Sequence, residues 1–135
     1  MMAIENCPCG THLPYAHCCG ALHAGVRNAD TAEELMRSRY TAYALKLPDY
    51  VVATTHPSSR TSDMMQQVEA WMQETTWLHL EVLNSIQGDP SDPAGEVEFR
   101  AEFTAGEAAG SHHERSRFER SENQWYYVEG VILET

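Results

Sequence analysis

The sequence predicts an α+β fold with a small metal-binding module at its N-terminus. Three observations lead there. All four cysteines of the 135-residue chain fall between Cys7 and Cys19. Apolar residues then recur at helical spacing from Ala32 to Met72, interrupted at Pro48 and Pro57, and from Trp77 onward the period drops to two. Helices followed by an antiparallel meander describe a domain whose helices pack on one face of a curved sheet.

In chain order, the first element is the cysteine cluster. Cys7-Pro8-Cys9-Gly10 and Cys18-Cys19-Gly20 have the spacing C-x-C-x8-C-C. A tetrahedral zinc ion takes four thiolates at about 2.3 Å, and each short pair can grip one edge of the tetrahedron. Pro8 stiffens the first turn, and Gly10 lets the backbone fold back under the metal. The segment 1–29 holds few sizeable apolar groups, Leu13, Tyr15, Leu22 and Val26 among them. It cannot fold on a core of its own, so one structural zinc plus docking onto the rest of the chain is the sufficient explanation.

Two disulfides would use the same residues. Met1-Met2-Ala3-Ile4-Glu5-Asn6 has no charged-then-apolar pattern of a signal peptide, which points to a reducing, cytoplasmic setting. The C-x-C and vicinal pairs also differ from the C-x-x-C redox motif. His12, His17 and His23 lie in or beside the cluster and could replace one thiolate, Cys19 first. With four cysteines at hand, surface roles suit them better.

The string CPCGTHLPYAHCCGALH resembles the SEC-C motif, a zinc module that also ends the translocase subunit SecA. The segments LMRSRYTAYALKLPDYVVATTHPSSR and HERSRFERSENQWYYVEG resemble the YchJ-like family of bacterial proteins, whose function is not established. The resemblance implies a SEC-C module over 1–29 and a nuclear transport factor 2-like domain over 30–135, a cone of three helices on a curved sheet with a cavity between them.

The helices come first. Thr31 and Glu34 form a T-x-x-E capping box that starts a helix. Ala32, Met36, Tyr40, Tyr43 and Leu47 supply its buried face, and Pro48 is expected to end it. A short helix over about Asp49 to Thr55 stops before Pro57. Ser62 can cap a third, with Met64, Met65, Val68, Trp71 and Met72 as its inner stripe.

Trp77 to Ile86 reads as the first strand, followed by a Gly/Pro/Asp turn cluster from Gly88 to Gly95. Glu96 to Thr104 alternates, with Val97, Phe99, Ala101 and Phe103 inward. After a turn over Gly106 to Gly110 come strands Ser111 to Arg120 and Trp125 to Leu133. In the last, Trp125, Tyr127 and Val131 share one face while Tyr126, Val128 and Ile132 share the other. Such a strand needs a cover on its outer side, from the zinc module, a helix or a second subunit, so a homodimer is one expectation.

The formal charge is −11, yet residues 1–60 carry five basic and five acidic groups, so the whole excess lies later. One lysine in the chain argues against nucleic acid as a partner, and no apolar run is long enough for a membrane span. The lysine-rich charge through which the SecA motif meets its partners is absent too.

With Phe118 inward, alternation brings Ser116, Glu114 and His112 to the same face, where a buried carboxylate beside a histidine could act as acid or base. A bulge would instead turn His113, Arg115 and Arg117 inward. His56 could reach the same space. Arg37 and Arg39, two apart on a helix, must diverge, each bonding a helix end, the zinc module or Glu114. Tyr40, Tyr43, Trp71 and Trp77 are expected to fill the core. No G-x-S-x-G, phosphate loop or H-E-x-x-H occurs, so the sequence favours a zinc-bearing module that binds a protein partner or small ligand over an enzyme working in the cavity.

Overall fold

A computed structural model describes residues 6–133. In chain order it has α1 (Cys19–His23), α2 (Ala32–Leu45), α3 (Pro48–Ala53), α4 (Met64–Glu74), β1 (Thr76–Gln87), β2 (Ala94–Ala105), β3 (Ala108–Ser121) and β4 (Gln124–Ile132). Single 3-10 turns occupy Tyr15–His17 and Pro57–Ser59. The strands form one antiparallel sheet in the order β1-β2-β3-β4, the meander expected. No helix among the described residues is long and apolar enough to cross a membrane.

The α2 start follows its capping signal. Thr31 accepts a hydrogen bond from the Glu34 backbone N–H at 3.0 Å, while Glu34 reaches back to the Asp30 N–H at 2.7 Å. Its end differs from expectation. Lys46, in left-handed conformation (φ 62°), terminates α2, and Pro48 instead opens α3 at the first helical position, where its missing N–H costs nothing. The Lys46 ammonium donates to the Met72 and Thr75 carbonyls, so the chain's one lysine neutralises the C-terminal end of α4. Asp63, not Ser62, precedes α4, and its carboxylate takes Thr61 and Gln67 side chains rather than capping the backbone.

Bulges curve the sheet at Leu78 and Leu83 in β1 and at Val128 in β4. The β4 bulge corrects the expected faces of that strand. Phe118 pairs with Tyr127 and Arg117 with Glu129, so beyond Val128 the inner face passes to Gly130 and Ile132, opposite Ser116 and Glu114. Val131 therefore turns outward. The outer edge of β4 is covered in part by the segment after α3: His56 N–H donates to Tyr127 O, Tyr127 N–H to Thr54 O, and Ser59 Oγ to Val128 O.

The inner face of the sheet meets α2 through Leu35, Met36, Tyr40, Leu80, Val97, Ala101, Phe118 and Trp125. Cys7, Cys9 and Cys19 belong to this same core. The cysteine module is thus built into the main core instead of hanging from it. A smaller core of Ala42, Val51, Val68 and Met72 joins α2, α3 and α4. The half-exposed Trp71 departs from the expected stripe.

Candidate metal centre and ligand cavity

Local backbone brings the four thiols together. Cys7 N–H donates to Leu13 O at 2.8 Å, closing a loop whose turn uses Gly10 at φ 92° and His12 at φ 66°. The 3-10 turn delivers Cys18, whose N–H bonds Tyr15 O at 3.0 Å, and Cys19 opens α1. All four Sγ atoms lie within 4.8 Å of one another, no disulfide joins them, and Cys9 and Cys18 are 3.7 Å apart. A tetrahedron with bonds of about 2.3 Å has edges near 3.8 Å, so the donor set fits a divalent thiophilic ion. Hydrogen bonds from Cys19 and Cys7 hold Cys9 below the ordinary thiol value, whereas hydrogen bonding to Cys7 and Cys9, with burial, pushes the Cys19 thiol up and burial pushes Cys18 up, so all four ionise together only around a cation.

Neighbouring groups fix the cluster. Thr11 Oγ1 stands 3.2 Å from Cys18 Sγ, and the fully buried Thr41 of α2 stands 3.8 Å from Cys7 Sγ. Arg37 donates to Cys9 O at 2.6 Å while holding Glu33 at 2.9 Å. None of the three histidines joins the donor set. His23 instead bridges Tyr15 OH and Ser38 O, 2.7 and 2.8 Å away, tying α1 to α2, and burial lowers its pKa; His12 and His17 are exposed.

A cavity of about 150 Å³ lies between the sheet and the helices. Met36, Arg39, Tyr40 and Tyr43 of α2 and Met64 and Trp71 of α4 form its roof; Trp77, Phe99, Ala101, His112, Glu114, Ser116, Phe118 and Tyr127 form its floor. It is smaller than the several hundred Å³ usual for ligand sites, though a cavity of about this size accommodates benzene. The four aromatic residues expected in the core all line this space, while Tyr40 is also buried in the main core with Trp77 packed against it and Tyr43 packs against the smaller one.

Glu114 accepts from His112 Nε2 at 2.7 Å, Ser116 Oγ at 2.6 Å and Tyr127 OH at 3.3 Å. Burial alone would push its carboxyl up; the three hydrogen bonds and the nearby imidazole outweigh this, and its pKa lies below the ordinary value. The rise anticipated from burial is thus reversed, and Glu114 is an ionised acceptor. An ionised carboxylate only accepts, so His112 Nε2 carries the proton, and in the neutral ring Nδ1 keeps its lone pair. Burial pushes Tyr40 up to about 12 and raises Tyr43 and Tyr127 as well, so all three hydroxyls stay protonated.

Arg39 is the cavity's cation. One terminal nitrogen, Nη1, donates to Val51 O at 2.9 Å, Thr54 Oγ1 at 2.8 Å and Thr55 Oγ1 at 3.2 Å, closing the end of α3. Its guanidinium carbon stands 4.4 Å over the Tyr127 ring, a cation–π contact, and burial lowers its pKa. The divergence of Arg37 and Arg39 is therefore real: one holds the cysteine loop, the other the cavity. The sequence did not single out Arg39; its spacing with Met36, Tyr40 and Tyr43 on α2 is the signal that could have found it.

Two candidate residues lie elsewhere. His56 accepts from Ser58 N–H at 3.1 Å and packs against Tyr126, outside the cavity. His113 faces the opposite side of the sheet, 2.7 Å from Glu98, because β2 and β3 pair without a register shift from Ala94–Glu119 to Ala105–Ala108.

Comparison with known proteins agrees with this architecture. Residues 31–130 match the family model described as YchJ, middle NTF2-like domain. A UPF0225 protein of Haemophilus influenzae is 44% identical over 131 residues, covering 97% of this chain and 80% of that one. The solution structure of a SEC-C motif containing protein from Rhodopseudomonas palustris has a TM-score of 0.83 at 42% identity, covering 96% of this chain and 99% of that one. The crystal structure of a SEC-C motif containing protein from Psychrobacter arcticus has a TM-score of 0.78 at 32% identity, with 98% and 85% covered. A cysteine module joined to an NTF2-like domain, matched along nearly its whole length, makes this chain a member of the YchJ family.

Proposed function

We propose that this protein is a zinc-braced binding protein whose cavity takes a small ligand. Four thiolates saturate a tetrahedral zinc and leave no open coordination position, so the metal is structural. The observation that carries the ligand reading is the placing of Arg39 and Glu114, both more than nine-tenths buried, on the walls of one cavity. Buried charges cost stability, and a fold that needed only packing would fill this space with apolar side chains. The test is native mass spectrometry of the metal-loaded chain against a small-molecule library, with zinc measured on the same sample. Retention of one zinc and of a stoichiometric ligand is expected. A chain without zinc, or one that retains no library member, rejects the respective half of the reading.

A second reading rests on one contact. Glu114 orients the cavity-lining His112 through Nε2 and leaves Nδ1 free as a base, the arrangement of an acid–base site. Turnover of a bound ligand that disappears in His112→Gln, with binding retained, would favour it over simple binding.

A further inference from the structure

The hydrogen-bonding state of the cavity is lopsided, and the imbalance identifies the chemistry of its occupant. The acidic group is satisfied: Glu114 holds three donors on its two oxygens. The basic group is not. Arg39 makes no ion pair with a carboxylate among the described residues, and its three side-chain hydrogen bonds all come from Nη1. Nη2 and Nε, together three N–H groups, have no protein partner among those residues, although the side chain lines the cavity. The Tyr40 and Tyr43 hydroxyls, on the same helix and the same cavity wall, are likewise without partners there, and the Trp77 indole N–H is buried without one. Unused hydrogen-bonding capacity in this cavity is therefore mostly donor capacity, centred on a guanidinium. The remaining surface is aromatic: Trp71, Trp77, Phe99 and Phe118 enclose the apolar part.

We infer that the cavity binds a small carboxylate whose remaining atoms are planar and apolar, with the Arg39 guanidinium as its anchor. This rests on the cavity being a ligand site and adds the class of ligand. A guanidinium presents paired N–H groups that match a carboxylate's two oxygens, a geometry an amine or an alcohol cannot use. Aromatic walls favour a flat body, and about 150 Å³ limits it to roughly one ring. The ligand's charge would also supply what Arg39 lacks, a counter-ion within contact distance. Glu114 remains directed at its own three donors and does not compete for the guanidinium.

The experiment uses the zinc-loaded full chain and three probes of the same shape: benzoate, benzamide and benzylamine. Binding is followed by the indole N–H signals of the three tryptophans. Trp71 and Trp77 line the cavity, whereas Trp125 is buried against Asp30 and serves as the internal control. Benzoate should shift Trp71 and Trp77 and leave Trp125 in place, with an affinity at least about tenfold above benzamide, the scale of a charge-assisted hydrogen bond. Benzylamine should not bind. In Arg39→Gln, checked for folding by its Trp125 signal, the preference for benzoate over benzamide should vanish. If that variant does not fold, the three probes on the natural sequence still decide. Equal or tighter binding of benzamide or benzylamine at Trp71 and Trp77 overturns the carboxylate inference while leaving the cavity a ligand site. No response to any probe at millimolar concentration also overturns it, and the library screen then decides the cavity's role separately.

Discussion

The Glu114 carboxylate lies directly against the backbone of Gly130. A Cβ added at position 130 would overlap its Oε2 and Cδ atoms and approach Tyr127 OH to 2.9 Å. The φ of Gly130 is not in the left-handed region, so glycine is required there for close approach, not for conformation.

Gly130→Ala should therefore displace the Glu114 side chain and destabilise the fold by about 1–3 kcal/mol, the usual cost of overpacking. Combining it with Glu114→Ala should remove most of that penalty. Urea unfolding of the two single variants and the double gives the coupling; additive effects would show that the glycine serves some other contact.

Removal of the proposed zinc should lower the melting temperature of the whole chain in a single transition. Cys7, Cys9 and Cys19 share one core with Met36, Leu80 and Phe118, and Arg37 ties Cys9 to α2. The sequence boundary at residue 29 would lead one to expect Cys9→Ser to loosen only residues 1–29; with Cys9 in the shared core, the substitution should disturb the main core as well. Calorimetry with and without chelator checks this, and an unchanged main transition would restore the independent-module view.

Glu114 should contribute to a loss of stability in acid. Its folded-state pKa lies below the ordinary 4.5, so the unfolded chain takes up the proton first as pH falls. The stabilisation is complete above 4.5 and is lost as pH drops through the lower, folded-state value. Denaturant midpoints between pH 6 and 3 should fall less steeply in Glu114→Gln than in the natural sequence; identical slopes would count against the hydrogen bonds from His112 and Ser116.

Arg39→Met should cost about 1–3 kcal/mol by removing the three hydrogen bonds that Nη1 gives to the Val51 carbonyl and the two threonine hydroxyls at the end of α3. Arg39→Lys should recover only part, since an ammonium cannot spread over the Tyr127 ring while reaching all three acceptors. Hydrogen exchange localised to Val51–Thr55 reports the loss; protection there equal to that of the natural chain would contradict it.

Much of this was legible in the residues. The cysteine spacing, the T-x-x-E box at Thr31 and the change of period at Trp77 carry their own geometry, and strict alternation set His112, Glu114, Ser116 and Phe118 on one face. What escaped is backbone irregularity and charge burial. The Val128 bulge has no side-chain signature, so Val131 and Ile132 exchange faces without warning. Lys46 ends α2 in a conformation usually left to glycine, held by carbonyls that arrive from another helix. Arg39 sits at the right spacing to face inward, but an arginine on an apolar stripe reads as a boundary residue until the end of α3 and the Tyr127 ring are seen to receive it.

The shared core also orders events in time. The four thiols are the first part of the described structure to leave the ribosome, while Val97, Phe118 and Trp125, which complete the core around three of them, are made roughly a hundred residues later. During synthesis Arg37 and Thr41 of α2, which touch the cysteine loop directly, therefore reach it first, and the strands that complete the shared core follow.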